Sequence, residues 1–335
     1  MRDLVDKLLD RKNLTRMEAQ SLVQSFLSGD TDPILMTAAL IALKMKGETP
    51  TEIAGAVEAM VAKAMPFPTT MDCLDTCGTG GDGLETVNIS TASAIVAAAA
   101  GCRVVKHGNR SVSSKSGSAD ILESLGLPLD LDQETQQACL ENAGICFLFA
   151  PSYHPAVKAV MPVRRTLKTR TLFNILGPLS NPARPAYQIL GVYDPALANP
   201  LGEALIHLGV KRALIVHGSG LDELALHGPS ELLWVEKGKL QASKIHPTDL
   251  GLTEAPVEAL KGGSPAENAA WLRDLLRGQG SEVHQQAVAL NVGAALWVYG
   301  KASNLKDGIQ CALDILNTSK GWETLKTWLD TANGS

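Results

Sequence analysis

Leu74-Asp75-Thr76-Cys77-Gly78-Thr79-Gly80-Gly81-Asp82-Gly83, continuing through Asn88-Ile89-Ser90-Thr91 into Ala92–Ala100, is the stretch on which the reading of the fold turns. The short run Leu74–Cys77 predicts a strand, and Ala92–Ala100 predicts a helix. Four glycines between Gly78 and Gly83 let backbone amides approach a ligand that a β-carbon would hold away. Amide dipoles gathered ahead of a helix N-terminus stabilise phosphate oxygens. Read by itself, the loop is equally an ordinary glycine-rich turn between a strand and a helix.

The next segment favours the phosphate reading. Arg103–Lys106 predicts a second strand, opening into Lys106-His107-Gly108-Asn109-Arg110-Ser111-Val112-Ser113-Ser114. This loop supplies a point cation, an imidazole, a side-chain amide, a guanidinium and three hydroxyls. Lysine pairs with phosphate as a point charge and arginine as a fork. Ser116-Gly117-Ser118-Ala119-Asp120 then starts another helix on capping residues. A solvated polar loop does not explain two such loops after consecutive strands. In open α/β sheets, ligands bind outside the carboxyl ends of the strands. The expectation is a site for a phosphorylated substrate.

The chain has 335 residues, enough for two domains and a large core. Apolar residues at 45% and charged residues at 19% fit a globular enzyme. The net charge of −5 argues against a general nucleic-acid binder, so phosphate binding has to come from a local basic site. The charged, amphipathic start Met1–Lys7 lacks the apolar core of a signal peptide. Ala92–Ala100 is too short to span a bilayer, so no membrane association is expected. Cysteines 73, 77, 102, 139, 146 and 311 form no C-x-x-C pair and lie mostly in apolar runs. They read as reduced thiols of a cytoplasmic protein, and the sequon Asn88-Ile89-Ser90 is set aside accordingly.

Residues 3–64 predict four helices. The third, Pro33 to Met45, begins on Thr31-Asp32-Pro33 and is apolar nearly all round. Such a helix is buried under its neighbours or against a second subunit, and the second is favoured. Pro66-Phe67-Pro68 marks a hinge. Beyond it, Leu74–Cys77, Arg103–Lys106, Ile145–Phe149, Gln188–Val192 and Arg212–Val216 predict strands alternating with helices. The fold class is therefore α/β: a small all-helical domain, and a large domain with a mostly parallel central sheet flanked by helices. The expected division is a helical domain 1–70, on which a crossing segment of about 163–187 packs, and an α/β domain from 71–162 and 188–335. Leu232–Ile245 reads as a hairpin turning at Glu236-Lys237-Gly238-Lys239. Ala266–Arg277, Glu282–Val298 and Leu305–Leu316 read as helices.

His217-Gly218-Ser219-Gly220-Leu221-Asp222-Glu223 follows the strand Arg212–Val216 and falls on the same rim as the phosphate loops. Adjacent carboxylates are often only a solvated helix start. Beside a polyphosphate they suit magnesium, which takes one or two protein carboxylates and fills its shell with phosphate oxygens and water. Asp222 and Glu223 are the expected metal ligands, with Ser90 as a hydroxyl donor. On the crossing segment a guanidinium would suit a carboxylate of a second substrate, and composition does not choose among Arg164, Arg165 and Arg170. Arg170–Pro182 reads as a rigid hinge that walls the acceptor pocket.

In these motifs the chain resembles the anthranilate phosphoribosyltransferase family, over nearly its whole length: Gly78–Gly83, Asn88–Thr91, Lys106–Ser114, Gly117–Asp120, Arg170–Pro182 and Gly220–Glu223. The resemblance implies 5-phosphoribosyl 1-diphosphate and anthranilate as substrates, two magnesium ions, and a homodimer paired through the helical domains. It implies that Gly78, Gly81, Asp82, Thr86, Asn88, Ile89, Ser90 and Thr91 hold the diphosphate and ribose phosphate. Lys106, His107, Gly108, Asn109, Arg110, Ser111, Val112, Ser113, Ser114 and Ser118 would complete that site. Gly78, Asn109 and Arg164 would contact anthranilate, and Lys106, His107, Asn109 and Arg164 would be the catalytic residues. It further implies Ser90, Asp222 and Glu223 as the metal ligands. Two departures from the family pattern are visible: Val87 in place of an aromatic residue, and Lys168 in place of a common glycine. No fused glutamine amidotransferase is expected. The rivals are a pyrimidine nucleoside phosphorylase and a nucleic-acid-binding relative, the latter disfavoured by the acidic charge.

Overall fold

The computed structural model describes residues 1–111 and 115–334. Four helices open the chain: α1 (Arg2–Leu9), α2 (Arg16–Ser28), α3 (Pro33–Lys46) and α4 (Pro50–Ala62). Thr15 and Thr49 begin α2 and α4 with capping boxes, and Asp32 accepts the amides of Ile34 and Leu35 ahead of Pro33. These bonds satisfy amides that a helix start leaves open. Glu52 is buried, and it also takes the Leu14 amide and the Lys46 ammonium, each at 2.8 Å. One carboxylate thereby ties the α1–α2 connection and the end of α3 to α4. Helix α3 packs Met36, Ala39, Leu40 and Leu43 inward while Ile34 and Met45 stand exposed. Within one copy of the chain, only one side of this apolar helix is covered.

The sheet among the described residues has seven strands: β1 (Leu74–Gly78), β2 (Val104–Gly108), β3 (Ile145–Phe149), β4 (Tyr187–Gly191), β5 (Arg212–Gly218), β6 (Ser230–Glu236) and β7 (Lys239–Ile245). Their order is β3-β2-β1-β4-β5-β6-β7. The pairings from β3 to β5 are parallel, and β6 and β7 close one edge as an antiparallel hairpin. Lys237 and Gly238 both take positive φ (51° and 71°), which the two-residue turn of such a hairpin requires. The chain builds outward from β1 to β3, then returns to pair β4 on the other side of β1. That reversal, outside the carboxyl ends of β1 and β4, is where the crevice of an open α/β sheet is expected.

One face of the sheet packs on α5 (Ile89–Ala99) and the C-terminal helices, with Trp328 fully buried. Helix α5 is alanine-rich, which lets its backbone lie close to the sheet; nearly all its residues are buried. The other face belongs to the core of the helical bundle: Leu190, Val192, Leu201, Ala213, Ile215 and Leu233 cluster with Leu22, Phe26, Leu40 and Leu43. Val163, Leu172, Phe173, Leu176 and Leu179 of the crossing segment join the same cluster.

Two expectations need correction, and one helix was not foreseen. Strand β2 runs on to Gly108, because Lys106, His107 and Gly108 pair with Phe147, Leu148 and Phe149 of β3. The segment Arg170–Pro182 contains a helix, Leu172–Leu179, started by Asn174 accepting the Thr171 amide at 3.0 Å. A further helix, Lys320–Ala332, ends the described chain and carries the buried Trp328.

Candidate active site

The glycine loop crosses the carboxyl ends of β1 and β4. A β-carbon on Gly78 would lie 2.3 Å from Asp222 Oδ2, so only glycine admits that carboxylate. Gly80, Gly81 and Gly83 take φ of 67°, 80° and 79°, open to glycine at little steric cost. The Gly80 amide donates to Asp222 Oδ2 at 2.6 Å, and the Thr79 amide donates to the Gly191 carbonyl at 2.9 Å. Asp82 accepts the Leu84 amide within the loop at 3.2 Å. Thr86 forms a bridge with Lys261, and Val87 is buried behind it with its amide on the Leu260 carbonyl. Asn88 is a strut: its amide nitrogen donates to the Ser116 carbonyl and its oxygen accepts from Asn268, each at 3.0 Å. Ile89, expected among the donor-binding residues, has its side chain in the core and its amide committed to the Val87 carbonyl, so neither group is open to a ligand. The Thr91 hydroxyl, one residue past Ser90 in the first turn of α5, is buried without a partner among the described residues.

The second motif divides between strand and loop. Lys106 and His107 lie in β2 and are buried rather than presented by the loop. Lys106 Nζ donates to the Thr76 carbonyl and lies 3.4 Å from Ser90 Oγ. The next side chain along, His107, packs edge-on against His154 with ring centroids 5.1 Å apart. Burial, followed by repulsion from His154, lowers the His107 pKa to about 3, so the ring is neutral near pH 7. Its Nε2 has no partner among the described residues. Asn109 is exposed and accepts the Arg110 amide at 2.7 Å. Ser118 Oγ donates to the Asn109 carbonyl and sits where a β-carbon on Gly108 would come within 2.4 Å. The Ser111 amide donates to Asp120 Oδ2 at 3.0 Å. Arg110, expected as a phosphate fork, instead grips Glu123 with both terminal nitrogens (2.7 and 2.9 Å) and Asp120 with one (3.0 Å). That guanidinium is therefore already engaged. Val112, Ser113 and Ser114 lie outside the described residues.

Asp222 and Glu223 follow β5 and are fixed through backbone. A β-carbon on Gly191 would fall 1.6 Å from the Asp222 carbonyl, so the acidic loop lies directly on the end of β4. His217 Nδ1 bonds the Val192 carbonyl at 2.8 Å while Nε2 accepts the Gly220 amide at 3.2 Å, and Asn291 accepts the Leu224 amide at 2.9 Å. Both carboxyl pKa values are raised: burial is the main cause, reinforced by Asp82 at Asp222 and by Asp222 at Glu223. Lys106 is the cation that opposes this at Glu223. Like charges that hold their protons this way lack cationic balance, and a divalent ion supplies it. Among the described residues no three His, Cys, Asp or Glu side chains form a metal cage by themselves. The set fits magnesium, which completes its shell with substrate phosphates and water.

Sequence reading overlooked Asp75. It is fully buried beneath the crevice, and its carboxylate accepts from Asn181 Nδ2 at 2.9 Å and from the His107 amide at 3.3 Å. Burial pushes its pKa up to about 6 against the pull of Lys106. The available signal was a carboxylate in the middle of a short buried strand.

The structure separates the three arginines that composition left open. Arg165 is exposed. Arg164, on the helix Met161–Leu167, is half-buried over the Phe173 ring at 5.7 Å, and burial alone lowers its pKa, with no carboxylate contributing. Arg170 reaches the glycine loop, donating to the Gly81 carbonyl and lying 3.4 Å from the Tyr193 ring centroid. The crossing segment thus meets the crevice. A separate cavity of about 300 Å³, lined by Arg16, Val57, Arg184, Gln188 and Lys211, opens at the opposite, amino ends of β4 and β5.

Family models described as the helical bundle domain and the a/b domain of a glycosyl transferase family match residues 2–64 and 70–321, and the chain belongs to that family. Within it, curated relatives about half identical to this chain include anthranilate phosphoribosyltransferases. That of Vibrio vulnificus strain CMCP6 is 49% identical over 97% of this chain and 98% of its own. That of Aeromonas salmonicida strain A449 is 49% identical over 95% of each. The crystal structure of anthranilate phosphoribosyltransferase from Thermus thermophilus superposes with a TM-score of 0.94 at 42% identity, covering 99% of both chains. The Saccharomyces cerevisiae enzyme in complex with PRPP and Mg gives 0.89 at 26% identity, covering 100% of this chain and 98% of that one.

Proposed function

We propose that the chain transfers the phosphoribosyl group of 5-phosphoribosyl 1-diphosphate to the amine of anthranilate, giving N-(5-phosphoribosyl)anthranilate and diphosphate, the second step from chorismate in tryptophan biosynthesis. One observation carries this reading: a glycine loop and a pair of half-buried acids meet at the sheet reversal, where the segment bearing Arg164, which has no ion-pair partner among the described residues, also arrives. The yeast relative is described with PRPP and Mg, and also with 4-fluoroanthranilate, which fits a donor site and an aromatic acceptor site.

The donor's phosphates would lie against Gly78–Asp82 and the first turn of α5, where the Thr91 hydroxyl lacks a partner among the described residues. Asp222, Glu223 and Ser90 would hold magnesium, two ions by our expectation, which neutralises the charge on the diphosphate. Lys106 adds a fixed cation beneath the same turn. The groups that stabilise departing negative charge are thus in place before reaction. Arg164 would hold the anthranilate carboxylate as a fork, and Asn109 and Gly78 would bound the ring. Attack by the amine nitrogen on C1 breaks the bond to diphosphate, and the resulting ammonium gives its proton to water. No protein base is required; His107, with a pKa of about 3, is too weak a base to hold that proton at neutral pH. Alignment of amine and C1 supplies the entropic part of the acceleration.

Exposed Leu9, Met17, Ile34 and Met45 on the helical bundle support a homodimer paired through that domain. The cysteines are unpaired among the described residues, which agrees with a reducing, cytoplasmic setting. No helix among the described residues is long and apolar enough to cross a membrane.

Replacing both Asp222 and Glu223 with Ala should abolish turnover while the thermal unfolding midpoint stays near that of the parent, since two mutually repelling carboxyls are removed. Undiminished turnover in that variant would falsify the metal assignment.

A further inference from the structure

We propose that Arg170 is a positioning residue of the donor site: it reaches the glycine loop from the crossing segment and sets the peptide plane at Gly81, and through it the amides offered to the donor's phosphates. The inference rests on the phosphoribosyl diphosphate reading and deepens it. Arg170 Nη2 donates to the Gly81 carbonyl, and the guanidinium lies 3.4 Å from the centroid of the Tyr193 ring. Tyr193 is itself bound to the loop, its amide donating to Thr79 Oγ1 at 3.1 Å. Thr79, Tyr193, Arg170 and Gly81 therefore close a circuit that begins and ends on the glycine loop.

The circuit makes two separate demands on Gly81. Its φ of 80° is one that side-chain-bearing residues rarely adopt, and a β-carbon there would lie 2.8 Å from Arg170 Nη2. In a trans peptide the carbonyl of one residue and the amide of the next point in opposite directions. With the Gly81 carbonyl held by Arg170, the Asp82 amide is turned away from the guanidinium. Glycines at 80, 81 and 83 leave the free loop many conformations, and freezing them at the moment of binding weakens affinity. Arg170 orders the loop beforehand. Both features of its side chain are used: the planar face rests on the ring while an edge N–H donates. A lysine supplies the charge but neither the plane nor the fork.

The test is calorimetric titration of the full-length protein with 5-phosphoribosyl 1-diphosphate and magnesium, without acceptor, alongside steady-state kinetics. Arg170→Ala should weaken donor binding about tenfold, a change of about 1.4 kcal/mol. It should raise the donor KM by the same factor and leave the acceptor KM and the thermal midpoint unchanged. Arg170→Lys should recover little, Tyr193→Phe should match the parent, and Tyr193→Ala should show part of the loss. Full recovery in Arg170→Lys would overturn the inference, because a point charge on phosphate would then suffice. A rise in acceptor KM alone, or parental donor affinity in Arg170→Ala, would also overturn it. If the parent protein binds no donor, the phosphoribosyl diphosphate reading fails first and this inference falls with it.

Discussion

Lys168 takes φ 46° and ψ 32° directly after the helix Met161–Leu167, the left-handed geometry that commonly closes a helix. The family resemblance leads one to expect a glycine there, and a β-carbon in this conformation costs about 1–2 kcal/mol. Part of that is offset by the greater freedom glycine has in the unfolded chain. Lys168→Gly should therefore stabilise the protein by about 0.5–1 kcal/mol in a denaturant titration, with turnover kept; a lower midpoint would contradict this account of the cap. Glycine requirements of this kind were legible at residue scale, since Gly78 stands where Asp222 approaches closely, Gly81 where the Arg170 guanidinium does, and Gly80 and Gly81 both take positive φ. Arg110 was not. Its partners Asp120 and Glu123 lie on the following helix, and only the folded loop reveals that they claim the guanidinium. Asp75 was overlooked and His107 was placed in the loop for a related reason, because burial, which governs the state of both, has no direct mark in a motif.

Elements with a clear local signal emerged with nearly their observed bounds. Ile145–Phe149 and Leu305–Leu316 agree in full, and the hairpin turn falls at Lys237-Gly238 inside the expected Glu236–Lys239. Errors arose where a neighbour decides. Nothing in His107-Gly108 favours a strand, yet β3 offers bonding partners to both, so β2 extends beneath the site and buries His107, which was expected in the loop. The helix Leu172–Leu179 was hidden by the surrounding prolines, although Leu172, Phe173, Leu176 and Leu179 keep helical spacing and fill the second apolar cluster. The loop after β5 was placed on the right rim by strand alternation alone. Its close seat on Gly191 depends on the pairing of β4 with β1, a contact between segments more than a hundred residues apart.

At the scale of the whole molecule, the helical bundle and one face of the sheet share a single apolar cluster, so the crevice between them is bounded by packed elements. On the bundle's outer side Ile34 is 78% exposed and Met45 71%, at opposite ends of α3. Paired bundles would cover them. Sedimentation should therefore report a dimer, and Ile34→Asp with Met45→Asp should shift it to monomer; a monomeric parent protein would exclude the pairing. The central claim, that the crevice transfers a phosphoribosyl group to an aromatic amine, is tested most directly by anthranilate fluorescence. The account predicts that the signal decays only when protein, 5-phosphoribosyl 1-diphosphate and magnesium are all present, and that EDTA stops the decay. A steady signal from folded protein with all three present would contradict it.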